Sequence, residues 1–299
     1  MKEKEGWFRV AMRWKGSVIP EVLPRSLLCG LFGVFIYIIH ISTNLKVSLP
    51  VLGSIIPNIV LGLLLVFRTN TAYERFWEGR KAWGVLVNTV RNLSRQIFVA
   101  IAESKLRDRA VKIAAVKLLP AFAIALKLHL RSEALNAELE ANLSPEQFQY
   151  LHNINHPPLQ IAFWISSYLQ NQSQQGKLDR YQLSDMSQLL NQMIDVAGTC
   201  ERILKTPIPL AYSIHLKQLL MIYCLSLPFQ LVDQLKWMTG AIVALISFTL
   251  LGIEEIGIQI EDPFGHDAND LPLNNICDAM IRNIEDLIVI SADQAHQSA

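Results

Sequence analysis

Two pairs of long apolar stretches dominate the pattern along the chain. Residues 26–45 and residues 47–67 contain no Asp, Glu, Lys or Arg, and Lys46 lies between the two stretches. Residues 206–232 contain only Lys217, and residues 237–253 contain no charge. About 20 helical residues, each rising ~1.5 Å, cross a hydrocarbon layer of ~30 Å. The pattern therefore predicts four membrane helices, over about residues 24–45, 49–67, 207–232 and 237–260.

The chain between the two pairs is predicted to be helical as well. Over residues 68–205 the apolar positions recur at helical spacing, and residues 68–102 contain no Pro, which favours one long helix continuing from the second span. Ser144 and Gln147 predict a capping box at a helix start. Residues 113–126 are apolar but short, and they contain Lys117 and Pro120, so we expect a buried helix outside the bilayer. Residues 170–176 are predicted to form a loop.

Composition agrees with a membrane protein made of helices. Hydrophobic residues make up 51% of the 299 positions and charged residues only 18%. We expect a single all-α domain over residues 1–299, with four membrane helices and a cytosolic part formed by about residues 68–205 and 261–299. We therefore expect the lipid bilayer to be a partner of the chain.

The net charge of +1 conceals two strongly charged blocks. Residues 68–131 hold 13 basic and four acidic side chains, whereas residues 254–299 hold one basic and ten acidic. The near-neutral total indicates no nucleic-acid partner. Residues 1–25 are basic too, so four spans and the positive-inside tendency predict that both termini are cytoplasmic.

Catalytic and nucleotide-binding motifs are absent from the sequence. There is no GxxxxGK[ST], GxGxxG, GxSxG or HExxH, and the four cysteines lack a CxxC spacing. We therefore expect reduced structural thiols and no enzyme. Carboxylates do cluster around Pro263 and Gly265, just after the last apolar stretch. This cluster suits calcium, or it is a solvated acidic turn that caps helices.

The second apolar stretch carries two stripes at helical spacing. Ile55, Ile59, Leu63 and Phe67 recur every four residues, and Ser54, Asn58 and Gly62 form an adjoining small or polar stripe. An apolar stripe on a membrane helix contacts lipid in the ordinary case. On a pore axis the same stripe would form a constriction that gates by dewetting.

Several blocks of the sequence together resemble the bestrophin family, in its bacterial branch. They are Trp14-Lys15-Gly16-Ser17, Phe67-Arg68 with Tyr73-Glu74-Arg75-Phe76-Trp77-Glu78-Gly79-Arg80, Cys200-Glu201-Arg202 before Thr206-Pro207-Ile208-Pro209, and Glu261-Asp262-Pro263-Phe264-Gly265 through Leu273. The resemblance implies a homopentameric channel in the bacterial inner membrane, with a helical cytosolic portion around one central pore.

The resemblance also implies which residues line that pore. The family's hydrophobic neck has three residues spaced by four on the second membrane helix, and these positions fall on Ile59, Leu63 and Phe67. A second, cytosolic aperture falls on Ser184, or on Leu183 if the alignment slips by one residue. The implied function is conduction of monovalent anions such as chloride. The alternative is a channel of the same fold for sodium or potassium, followed by a membrane metalloenzyme or a non-conducting scaffold.

Calcium control is implied only for animal members of the family. Their calcium-binding loop corresponds to Asp267 and Asp270 here, with Gln259 and Asp262 upstream. This sequence has His266, Ala268 and Asn269 where those members have a denser acidic run. We therefore expect no cofactor, with calcium at these four residues as the alternative.

Overall fold

The computed structural model describes residues 6–43, 55–103 and 106–297. Within these ranges the regular structure is helical throughout. The helices are α1 (Trp7–Ala11), α2 (Ile19–Ser42), α3 (Ile55–Ala100), α4 (Leu106–Leu130), α5 (Ala137–Glu140), α6 (Pro145–Leu151), α7 (Pro157–Gln174), α8 (Arg180–Lys205), α9 (Leu210–Leu235), α10 (Thr239–Gln259) and α11 (Leu273–Gln297). A 3₁₀ turn, Lys236–Met238, joins α9 to α10.

The chain divides into two units. The first comprises Met1–Phe76 and Pro207–Asp270, and so contains α1, α2, the start of α3, α9 and α10. Its most extensive helix pair is α2 with α10. These helices meet at glycines, because the Cα of Gly240 lies only 3.1 Å from where a Cβ on Gly33 would stand. Small residues let membrane helices approach closely, which is how this pair gains its packing.

The second unit comprises Trp77–Thr206 and Leu271–Ala299, and α4 forms its centre. Helices α7, α8 and α11 each pack against α4. Phe122, Leu119 and Ile124 of α4 are at most 1% exposed. From Leu118 to Leu130 every residue except the half-buried His129 is buried, so this part of α4 is the core of its unit, which explains its apolar composition.

Three segments of the described chain are long and apolar enough to cross a bilayer: Ile19–Ser42, Arg107–Leu130 and Leu210–Gln259. Burial separates them, since 78% of the apolar window in α4 is buried, against 28% for α2 and 33% for the segment holding α9 and α10. A helix that is mostly covered by protein offers little surface to lipid. This difference supports a non-spanning α4.

Two local predictions are confirmed. A single helix, α3, continues over 46 residues, and Ser144 and Gln147 form the capping box of α6. The predicted loop over residues 170–176 is wrong for its first part, because α7 runs to Gln174. The side chain of Gln172 is buried at 8% exposure, and the turn comes only at Gly176, whose φ of 71° suits glycine.

Candidate ion pathway

One face of the first part of α3 is packed against α9. Leu61 and Leu65 are 5% and 2% exposed, and they form a cluster with Leu216 and Leu220 of α9. The Tyr212 hydroxyl donates a hydrogen bond of 2.7 Å to the carbonyl of Leu64, on the same side. This contact fixes which face of α3 points away from the unit.

The face turned away from α9 carries the predicted neck residues. Ile59, Leu63 and Phe67 are 56%, 52% and 60% exposed, and their spacing of four keeps them on one stripe. The side chain of Ile55 and all of Ser54 lie outside the described residues. The structure thus leaves three large apolar side chains of the stripe uncovered within the unit, where lipid, a neighbouring copy or a pore must cover them.

A buried ion pair lies directly after the stripe. Arg68 is 3% exposed, and its guanidinium donates to Glu261 at 2.7 Å and to the Ser213 hydroxyl at 3.1 Å. The other carboxylate oxygen of Glu261 accepts a hydrogen bond of 2.9 Å from the backbone N–H of Ile208. The backbone carbonyl of Glu261 accepts a hydrogen bond of 3.1 Å from the Arg75 guanidinium. Three chain segments are therefore tied together at one carboxylate.

Sequence reasoning noted Arg68 and Glu261 but not their contact. The two residues are 193 positions apart, so periodicity cannot pair them. One sequence signal could have shown that Arg68 is buried. It follows Leu61 and Leu65 at helical spacing, which places it on the same packed face of the helix, where a charge needs a partner.

The four residues of the predicted calcium site form a hydrogen-bonded turn. The side-chain amide of Asn269 donates to the side-chain oxygen of Gln259 at 2.8 Å, and the backbone N–H of Phe264 donates to the Asp262 carboxylate at 3.1 Å. Asp270 accepts the Asp267 amide at 2.7 Å.

Carboxylates nevertheless converge in this turn. A Cβ on Gly265 would stand 2.7 Å from Asp270 Oδ2 and 3.6 Å from Asp262 Oδ2. Carboxylate and amide oxygens are suitable calcium ligands. In this turn, however, the same oxygens already accept hydrogen bonds from backbone N–H groups and from the Asn269 side chain. The donor set therefore matches a capped acidic turn better than a calcium cage, and calcium at these residues stays a prediction.

The predicted aperture residues lie in the first turns of α8. Ser184 is exposed and Leu183 is half-buried, while Met186 on the other side of the helix is buried. Of the two candidates, Ser184 is thus the one presented to solvent. Its role at an aperture stays a prediction.

The basic block of the sequence separates into buried and exposed side chains. Lys112 is 3% exposed and pairs with Glu103 at 2.6 Å, so it belongs to the core of the second unit. On the part of α3 that belongs to this unit, four basic side chains are exposed: Arg80, Lys81, Arg91 and Arg95. These exposed charges favour the approach of anions.

The cysteines behave as structural thiols. Cys29, Cys200, Cys224 and Cys277 are all free. Burial raises the pKa of the Cys200 thiol to about 12, with a contribution from the neighbouring Glu201 carboxylate. A thiol that stays protonated at neutral pH is a poor nucleophile and a poor metal ligand.

Comparison with known proteins gives consistent matches along almost the whole chain. The family model described as Bacterial/Fungal Bestrophin protein matches residues 1–286. The voltage-dependent anion channel-forming protein alr2987 of Nostoc sp. is 56% identical over 96% of this chain and 94% of its own length. The voltage-dependent anion channel-forming protein YneE of Escherichia coli is 33% identical over 94% of this chain and 91% of its own length.

A solved structure agrees with these matches. The crystal structure of a bacterial bestrophin homolog from Klebsiella pneumoniae superposes with a TM-score of 0.79 at 29% identity, covering 90% of this chain and 98% of that one. The helical fold, the free apolar stripe on α3 and the matched length lead to one conclusion. The chain belongs to the bestrophin family, in its bacterial branch.

Proposed function

We propose that five copies of the chain form a channel in the bacterial inner membrane and conduct chloride and similar monovalent anions. The observation that carries this proposal is the uncovered stripe of Ile59, Leu63 and Phe67, which lies opposite a well-packed face of the same helix. Around a fivefold axis the stripe would form three apolar rings. Both termini would lie in the cytoplasm, because four spans would put them on the same side as the basic segments 1–25 and 68–131.

A neck of this kind gates by wetting. Apolar side chains offer no ligands to a hydrated ion, so a dry neck blocks ions and a wet one passes them with weak selectivity. The sign of the permeant ion must then be set by charges elsewhere along the path. Two observations support anions: the exposed basic residues of α3, and the similarity to relatives that are named as anion channel-forming proteins.

Current through reconstituted protein tests the neck. Leu63→Ala and Phe67→Ala should each increase the current severalfold, since a wider neck wets more readily. Leu31→Ala on α2 is the matched control for Leu63→Ala, because it removes the same side chain from a 64% exposed position of another predicted span. Planar-bilayer recordings at equal protein density measure the effect. Unchanged current from both neck variants would contradict the assignment.

The preferred ion is tested by the reversal potential in a potassium chloride gradient. A potential near the chloride equilibrium value supports the proposal. A potential near the potassium value would replace it with the cation-permeable alternative. Protein that is correctly assembled in liposomes and passes neither ion would identify a non-conducting scaffold.

A further inference from the structure

Three side chains of metal-ligating types meet in the second unit, and none of them belongs to the acidic turn discussed for calcium. His129 lies in the last turn of α4, His156 caps α7, and Glu201 lies in α8. Their ligand atoms all lie within 4.8 Å of one another. Glu201 Oε1 is 2.6 Å from His156 Nε2 and 3.3 Å from His129 Nε2.

We propose that His129, His156 and Glu201 form a binding site for a divalent first-row transition metal such as Zn²⁺. Two imidazole nitrogens and one carboxylate oxygen are a donor set that Zn²⁺ uses when water fills the fourth position. With bonds of ~2.0–2.2 Å, tetrahedral ligands stand about 3.4 Å apart. The His129–Glu201 separation of 3.3 Å already fits, and the His156–Glu201 contact has to open slightly.

The site is reachable from solvent. The side chains of His156, His129 and Glu201 are 34%, 26% and 19% exposed. A cavity of about 150 Å³ opens beside His156 and Glu201, with room for a coordinating water. An ion could therefore reach His156 and Glu201 from solvent and keep a water ligand.

The carboxylate of Glu201 is held with one oxygen toward the site. Lys205 donates to Oε2 at 3.2 Å, while Oε1 faces His156 and His129. The Lys205 ammonium therefore holds Glu201 in an orientation that presents Oε1 to an ion.

One existing contact opposes binding and sets a limit on affinity. His156 Nδ1 accepts the Leu159 amide at 3.1 Å, so the ring proton lies on Nε2 and is donated to Glu201. When a metal takes Nε2, that proton moves to Nδ1 and the ring stops accepting the Leu159 amide. Loss of a helix cap is expected to weaken binding roughly fivefold.

Titration of the purified, chelator-treated full-length protein with Zn²⁺ tests the proposal by calorimetry. We expect one ion bound per chain at pH 7.5. His129→Gln and Glu201→Gln should each weaken binding at least tenfold. His156→Asn is the sharpest variant, because Asn still caps α7 but supplies no imidazole. Elution volume and unfolding temperature in chelator show whether each variant is folded.

A neighbouring histidine provides the matched control. His152 is exposed and lies outside the ligand set, so His152→Gln should bind Zn²⁺ like the unaltered protein. Binding should also weaken as the pH is lowered, because protons compete with the metal for the same ligand atoms. Co²⁺ should give the intense visible bands of a tetrahedral complex in the unaltered protein. Absence of binding, or binding that survives Glu201→Gln and His156→Asn in folded protein, would overturn the proposal.

Discussion

At the scale of single residues, the most constrained charge described in the first unit is Arg68. Its guanidinium is almost fully buried and satisfied by Glu261 and Ser213. A buried pair contributes little net stability compared with an apolar pair of the same shape. Removing one partner is costly, because the other charge is then left without compensation in a poorly solvated place.

Glu261→Gln is therefore expected to destabilise the protein by about 3 kcal/mol. The glutamine side chain keeps an oxygen that can accept from the backbone N–H of Ile208, but it no longer neutralises the charge of Arg68. Thermal unfolding of the detergent-solubilised protein measures the change. Lys205→Gln is the control, because Lys205 is 68% exposed in its pair with Glu201 and should contribute less than about 1 kcal/mol. Equal unfolding temperatures for the two variants would contradict this account of Arg68.

At the scale of elements, the crossing of α2 and α10 depends on glycine. A Cβ on Gly240 would collide with the Val34 side chain and would stand 2.9 Å from the Gly30 carbonyl oxygen. A side chain can move aside, but the backbone of α2 cannot give way without separating the helices. Gly240 therefore sets the distance between two of the predicted spans.

Gly240→Ala should consequently lower the unfolding temperature in detergent, although alanine favours a helix more than glycine does. Gly84→Ala on α3 is the matched control, because its Cβ would meet only the Arg80 side chain at 3.6 Å. That variant should gain up to about 1 kcal/mol from helix propensity. The two substitutions are chemically identical, so opposite signs isolate the helix crossing. A stabilised Gly240→Ala would show that α2 and α10 do not approach this closely.

The sequence predicted elements better than it predicted side-chain partners, for a physical reason. Helices repeat their environment every few residues, so α3 and the cap of α6 leave a local pattern. His156 and Glu201, by contrast, meet across 45 positions and Arg68 and Glu261 across 193. Such pairs depend on how whole helices pack. The C-terminal end of α7 was predicted as a loop for a related reason. Its composition is polar, but Gln172 is buried by packing against the rest of the unit, which the local sequence does not reveal.

At the scale of the whole molecule, both charged blocks of the sequence have members at the surface. In the acidic block Asp262, Asp267, Asp278, Glu285 and Asp286 are exposed, although Glu254 and Glu255 are buried. In the basic block Arg80, Lys81, Arg91 and Arg95 of α3 are exposed, although Arg68, Lys112 and Lys127 are buried. The preferred ion therefore depends on which of these exposed charges line the pathway, rather than on the net charge of +1.

Two of these basic residues are suited to a test of ion selectivity. Lys81, Asn88 and Arg95 are spaced by seven residues, which places them on one face of α3. In the proposed pentamer each position would occur five times around the axis. If this face lines the ion pathway, the combined Lys81→Gln and Arg95→Gln variant should move the reversal potential away from the chloride value and toward zero.

The shift should depend on salt if its cause is electrostatic. The Debye length is about 30 Å at 0.01 M and about 10 Å at 0.1 M ionic strength, so the variant should differ most from the unaltered protein in dilute salt. Arg282→Gln provides the control, since it removes an exposed positive charge from α11 instead of α3. An equal shift from Arg282→Gln would mean that net charge, rather than this face of α3, sets the preference. No shift from either variant would place the selectivity-determining charges elsewhere, because exposed charges on an anion pathway must alter the potential that a permeating ion meets.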